Sequence, residues 1–161
     1  MDAIPTLNLK GGNEIPAIGY GTYPLKGTRC RESVRIALEE GYTHIDTAEM
    51  YGNESQIGDA IEGTDRSDLF ITSKVWTSNL GYNDLINACE SSLQKLGTNY
   101  LDLYLIHWPN EDIPLDETFK AMENIHDRGM VKSIGVSNFT ISRLKKAMKS
   151  SSIPISVNQV E

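Results

Sequence analysis

Apolar residues along the chain fall into two alternating periods. Short, nearly continuous apolar runs of the kind that fill a buried strand occur at 19–22 (GYGT), 43–47 (THIDT), 69–75 (LFITSKV), 100–108 (YLDLYLIHW), 131–137 (VKSIGVS) and 155–161 (ISVNQVE). Between them the apolar spacing changes to three and four. Val34, Ala37 and Leu38 share one face of 32–41, and Gly41 is a helix stop. Ile57 and Ile61 do the same in 53–63, and Leu85, Ala88, Leu93 and Leu96 with Ser92 in 84–97. Leu115, Phe119, Met122 and Ile125 are in phase over 115–129, and a fifth helix is predicted at 141–150. Ahead of all this, residues 6–17 alternate around Gly11-Gly12 and predict a hairpin.

Six predicted strands therefore alternate with five predicted helices, at a repeat of about 25–30 residues. Such alternation implies right-handed crossovers and a parallel sheet covered by helices. A doubly wound nucleotide fold expects a Gly-rich phosphate turn that opens into a helix after the first strand, and GYGTYPLKG has no G-x-G-x-x-G in that place. A (β/α)8 barrel places its chemistry at the C-terminal strand ends. Polar residues cluster there: Asp46 and Thr47, Ser73 and Lys74, His107, Ser137 and Asn138, Asn158 and Gln159. The expected architecture is thus an α/β, parallel TIM barrel, one incomplete domain over 1–161, with the 6–17 hairpin closing its floor.

Composition narrows the function classes. The net charge is −7, with no basic run, so nothing points to nucleic acid or an anionic membrane. No apolar span is long enough to cross a bilayer and no signal-type segment follows the N-terminus, which makes a cytoplasmic protein the default expectation. Cys30 and Cys89 read as buried structural thiols, and His44, His107 and His126 lack metal-ligand spacing.

The strand-end residues carry more weight together than singly. Alone, Asp46 could cap a loop, Lys74 could sit at a solvated rim, His107 could be a satisfied core histidine, and Tyr51 could be loop packing. One barrel rim brings all four near each other. Asp46 and Lys74 would compensate each other's charge, Lys74 would lower the Tyr51 phenol pKa, and His107 would orient a carbonyl. That set suits protonation of a carbonyl oxygen while a hydride arrives at its carbon.

The blocks GYTHIDTAEMYGNE, ITSKVW, LDLYLIHWP, SIGVSNF and VNQVE, in this order and spacing, closely resemble the aldo-keto reductases. The resemblance implies an enzyme that reduces aldehydes or ketones to alcohols with NADPH, using Asp46, Tyr51, Lys74 and His107 as the catalytic tetrad and Tyr51 as general acid. It implies that Ser137, Asn138 and Gln159 hold the cofactor's carboxamide, with Gly21, Thr22 and Tyr23 along the cofactor and Asp46 beside it. Tyr23, Trp76 and Trp108 are expected to wall an apolar substrate pocket, and the short PNEDIP link points to small or varied carbonyls. Histidine rather than glutamate at 107 favours carbonyl reduction over steroid double-bond reduction. The resemblance also extends to catalytically silent members such as the potassium-channel β subunits, so a regulatory binding module is the rival reading.

In this family the phosphate-binding segments lie largely beyond the sixth strand, so weak NADPH binding is expected of residues 1–161 alone. With about six of eight strands, the barrel is expected to be completed by further polypeptide, a partner chain or self-association, and the isolated 161 residues are not expected to behave as a well-packed monomer.

Overall fold

The computed structural model describes residues 4–161. Strands β1 (Thr6–Asn8) and β2 (Glu14–Pro16) pair antiparallel with Leu7 opposite Ile15. The chain then runs β3 (Tyr20–Gly21), α1 (Gly27–Glu39), β4 (His44–Asp46), α2 (Glu54–Ile61), β5 (Phe70–Val75) and α3 (Tyr82–Leu96). It continues through β6 (Leu103–Ile106), α4 (Leu115–Asp127), β7 (Ile134–Ser137), α5 (Ile141–Ser150) and β8 (Ile155–Gln159). Strands β3 to β8 form one parallel sheet in sequence order.

Pleating divides each strand between two environments. Ile71 and Val75 of β5, Tyr104 and Ile106 of β6, and Ile134 and Val136 of β7 join the large core under the helices. Phe70, Leu103 and Leu105 face the other way and form a small inner core with Val157 and with Leu9 and Ile15 of the hairpin segment. The sheet is rolled toward that inner face. In a flat sheet β4 and β8 would be about 19 Å apart, four spacings of ~4.8 Å, yet Gln159 Nε2 donates to Asp46 Oδ2 at 3.0 Å. Gly135 lies on the inner face, and a Cβ there would fall 2.7 Å from both Leu105 Cδ2 and the Val157 carbonyl oxygen. Only glycine allows that approach.

The helices meet the sheet through the faces their spacing predicts. Leu85, Ala88, Cys89, Ser92, Leu93 and Leu96 of α3 are all buried, and Gly97 ends the helix in the left-handed region with its N–H bonded to Gln94 O and Leu93 O. Cys30 and Cys89 are buried and free. No helix among the described residues is long and apolar enough to cross a membrane.

Several boundaries differ from the sequence expectation. Helix α1 begins at Gly27, not near Glu32, because Cys30 already lies on its buried face. The run 100–108 pairs continuously only over Leu103–Ile106. Leu101 makes an isolated bridge to Val131, and Asp102 turns its carboxylate onto Ile71 N–H instead of extending the apolar strand. One-turn 3₁₀ helices at Glu49–Tyr51, Arg66–Asp68 and Thr77–Asn79 were not foreseen, since three residues carry no periodicity.

Candidate active site

Strand parity decides which polar side chains enter the rolled sheet. Lys74 is in phase with Phe70 on β5, and His107 follows Leu103 and Leu105 in phase beyond β6. Asp46 ends β4, Ser137 ends β7 and Gln159 ends β8. Parallel strands bring all these ends to one rim.

Lys74 is 1% exposed, so its ammonium needs compensation. It donates to Asp46 Oδ1 at 2.5 Å and to the Thr47 carbonyl at 2.9 Å. Burial pushes its pKa below the ordinary lysine value, and the Asp46 charge pulls it partly back. Its charge also lies 5.1 Å from the Tyr51 ring centroid. Asp46 is held in turn by Gln159, while its backbone carbonyl accepts from Thr22 N–H and Thr22 Oγ1.

Tyr51 ends the one-turn helix Glu49–Tyr51, and Gly52 closes it at φ 63°, a conformation that favours glycine. The phenol pKa is pushed up to about 12, by burial first and then by the Asp46 charge and Tyr23. This corrects the expectation that Lys74 would depress it: the ammonium is bonded to Asp46 and Thr47 and lies near the ring, not at the hydroxyl. The His107 ring is edge-on to both Tyr51 (5.6 Å) and Trp76 (5.3 Å). Burial and the Lys74 charge push its pKa down to about 4, against a smaller opposing effect of Asp46, so the imidazole is neutral near pH 7.

Above this cluster opens a cavity of about 460 Å³. Tyr23, Tyr51, His107, Trp108 and Met50 form its aromatic and apolar walls, and Asp46, Ser137, Asn138 and Gln159 its polar side. Asn138 sits at φ 61°, an uncommon conformation that asparagine tolerates, with Nδ2 donating to His107 O and to Ser137 Oγ. Ser137 Oγ donates to Gln159 O. The Asn138 Oδ1 and Gln159 Oε1 oxygens have no hydrogen-bond partner among the described residues.

Besides Lys74, which is buried beneath it, three residues assigned from sequence do not line this cavity. Thr22 is fully buried, its hydroxyl bonded to Asp46 O and Asn53 Nδ2, so it supports Asp46 from behind. Gly21 is paired in register beside Asp46. Trp76 reaches the site through His107 and is not a cavity wall. Sequence reasoning overlooked Met50 as a wall. It also overlooked Asn53, which is fully buried and bonded to Thr47 Oγ1, Thr22 O, Thr22 Oγ1 and Leu25 O. Asparagine at the start of a helix reads as a cap, but Asn53 makes no capping bond and is spent across the chain instead.

Residues 17–161 match the aldo/keto reductase family. The chain belongs to that family. It is 43% identical over 159 residues to the glyoxal reductase of Bacillus subtilis (strain 168), covering 97% of this chain and 57% of the relative. It superposes on the aldo/keto reductase from Brucella melitensis with a TM-score of 0.94 at 45% identity, covering 99% of this chain and 62% of the other. The Bombyx mori aldo-keto reductase in complex with NADP gives a TM-score of 0.92 at 35% identity, with 100% and 59% coverage. The chain thus spans well under two thirds of the length of these relatives, and its rolled six-stranded sheet is part of the aldo-keto reductase (β/α)8 barrel.

Proposed function

We propose that these residues carry the carbonyl-protonating part of an NADPH-dependent reductase that converts aldehydes or ketones to alcohols. The observation that carries this reading is the Tyr51 phenol and a neutral His107 facing one cavity above a buried Lys74–Asp46 pair. NADPH, when bound, supplies the hydride to the carbonyl carbon. Its neutral carboxamide end suits the free amide oxygens of Asn138 and Gln159 and the Ser137 hydroxyl. None of the cavity's lining residues is Lys or Arg, so tight binding of the phosphates draws on contacts outside this cavity.

A pKa near 12 keeps Tyr51 protonated at working pH, so it acts as a donor and not as a base. An alkoxide is a far stronger base than a phenolate, so the phenol delivers its proton as negative charge develops on the carbonyl oxygen. Lys74, with two of its three N–H groups engaged, stabilises the phenolate that remains. His107 offers a neutral imidazole to the same oxygen, and Trp108 and Met50 give that part of the cavity an apolar wall. The glyoxal reductase among the relatives makes small dicarbonyls the first substrates to try.

The test is consumption of NADPH with glyoxal, methylglyoxal and simple aldehydes, on the complete polypeptide that bears these residues. Tyr51→Phe is expected to lower kcat by ~10²–10⁴-fold while NADPH affinity, read by fluorescence, is kept. Undiminished turnover in that variant would remove Tyr51 from the chemistry.

A further inference from the structure

Among the described residues, none hydrogen-bonds the His107 ring to fix it. Its backbone is anchored, with N–H donating to Val75 O and the carbonyl accepting from Asn138 Nδ2. Its Nδ1, however, is buried and without a partner among the described residues. The ring's orientation therefore depends on what packs against it, namely Tyr51 at an interplanar angle of 79° and Trp76 at 81°. These two rings come from different loops, one after β4 and one after β5. What keeps the loops together decides whether His107 is gripped.

One carboxylate does so. Glu49 opens the turn that ends in Tyr51, and its Oε2 accepts from the Trp76 backbone N–H at 2.8 Å. Its Oε1 accepts from Asn79 Nδ2 at 2.6 Å. Both donors belong to the segment after β5. Glu49 makes no ion pair among the described residues, so neither oxygen is diverted to a surface cation. The bland reading, an acidic residue favoured at the first turn of a helix, does not account for two oxygens bonded outside that turn. Charge-assisted bonds to a carboxylate are stronger than neutral ones, and losing them leaves the Trp76 N–H unpaired.

We propose that Glu49 is a positioning residue: it fastens the Tyr51 turn to the Trp76 segment and so holds His107 between the two rings. Only the kinetic consequence rests on the carbonyl-reductase reading. The geometric consequence stands without it, and the two are tested separately.

The geometric arm is an NMR titration of the His107 imidazole, assigned by its loss in His107→Gln. The charged or titratable groups facing His107 are Lys74, Asp46 and Tyr51, and none is altered by the variants. Glu49→Ala removes both acceptors and is expected to raise the His107 pKa by about one unit as the released ring gains water. Glu49→Gln retains one acceptor oxygen and Asn79→Ala loses one donor, so each should give a smaller rise. If Glu49→Ala does not fold, these two variants carry the test. The kinetic arm expects kcat to fall ~10–100-fold in Glu49→Ala, with NADPH affinity unchanged and a smaller change in Glu49→Gln. A His107 titration that stays at its original position in every folded variant, even where the melting temperature drops, would overturn the proposal and leave Glu49 a merely structural tie. A shifted titration with no carbonyl reduction even in the parent protein would keep the clamp and reject the reductase reading.

Discussion

Two carboxylates at opposite ends of the sheet are built from the same ingredients and come to different ends. Asp102, just ahead of β6 at the N-terminal side, accepts from Arg66 Nη2 at 2.7 Å and from Ile71 N–H at 2.9 Å, and pairs with Lys132 Nζ at 3.2 Å. Arg66 also donates to Thr98 Oγ1, Leu69 O and Tyr100 O. Arg66 and Lys132 each also lie over the Tyr100 ring, 4.0 Å from its centroid. Asp46, at the C-terminal rim, likewise has a cation and a tyrosine beside it. There, Lys74 keeps one N–H uncommitted, the Tyr51 hydroxyl is unbonded among the described residues, and His107 Nδ1 is unpaired. Asp, cation and phenol saturate one another at the floor and leave capacity unused at the rim. Saturation is what stability favours, and unused donors facing a cavity are what chemistry at a substrate needs.

The contrast breaks most sharply in a pair of substitutions. Arg66→Met leaves Asp102 with Lys132 and Ile71 N–H but also strips a donor from Leu69 O, Tyr100 O and Thr98 Oγ1, and is expected to cost about 3–5 kcal/mol in urea unfolding, with turnover of the folded protein unchanged. Lys74→Met should cost less, about 1–3 kcal/mol, because Asp46 is 15% exposed and keeps Gln159. It should nonetheless lower kcat by ~10²-fold or more. Equal loss of turnover in both variants would erase the division between floor and rim.

A second test uses pH. His107 is held down to about 4 by burial and Lys74, and His44 is also lowered, chiefly by burial. In the unfolded chain both titrate near the ordinary ~6.5. Between those limits the unfolded state binds more protons, so stability rises with pH. The contribution is fully present above about 6.5 and is lost as pH falls toward 4. For His107 the loss is on the order of 2–3 kcal/mol. Denaturant midpoints measured at acid and neutral pH should therefore converge in His107→Gln, which removes its share of the slope. An unchanged slope would mean the imidazole is as solvated folded as unfolded.

Much of this division was legible in the sequence. The strand and helix periods located all six parallel strands, and the C-terminal ends of those strands put Asp46, Lys74 and His107 at one rim. What remained hidden depends on contacts across the chain. Arg66 looks like one more surface cation until its guanidinium is found reaching Thr98, Tyr100 and Asp102 from a one-turn helix. Asn53 and Glu49 read as helix-start residues because local preference for those positions is strong, and the bonds that redirect them reach 27 to 31 positions along the chain, to Thr22, Leu25, Trp76 and Asn79. The Tyr51 pKa went the wrong way for a related reason. Sequence places Lys74 near the phenol, but only the structure shows its protons aimed at Asp46 and Thr47.

The smallest expected effect tests whether saturation is a rule of this fold or a property of its floor alone. On the outer face of β6, Tyr104 is fully buried with Ser92 as its polar neighbour, but the two hydroxyls do not meet in hydrogen-bonding geometry and neither has another partner among the described residues. Nearby Ser73 Oγ, by contrast, donates to the buried Glu54 at 2.6 Å. Deleting an unsatisfied buried hydroxyl removes a desolvation cost, whereas deleting a satisfied one loses a bond. Tyr104→Phe keeps the ring and should change stability by less than about 1 kcal/mol, neutral or favourable. Ser73→Ala should cost about 1–3 kcal/mol, since it strips a donor from a buried carboxylate. If Tyr104→Phe proves as costly as Ser73→Ala, the phenol is bonded in solution, and the outer layer is saturated like the floor. Unspent polar groups facing a cavity would then set the rim apart from both of those layers.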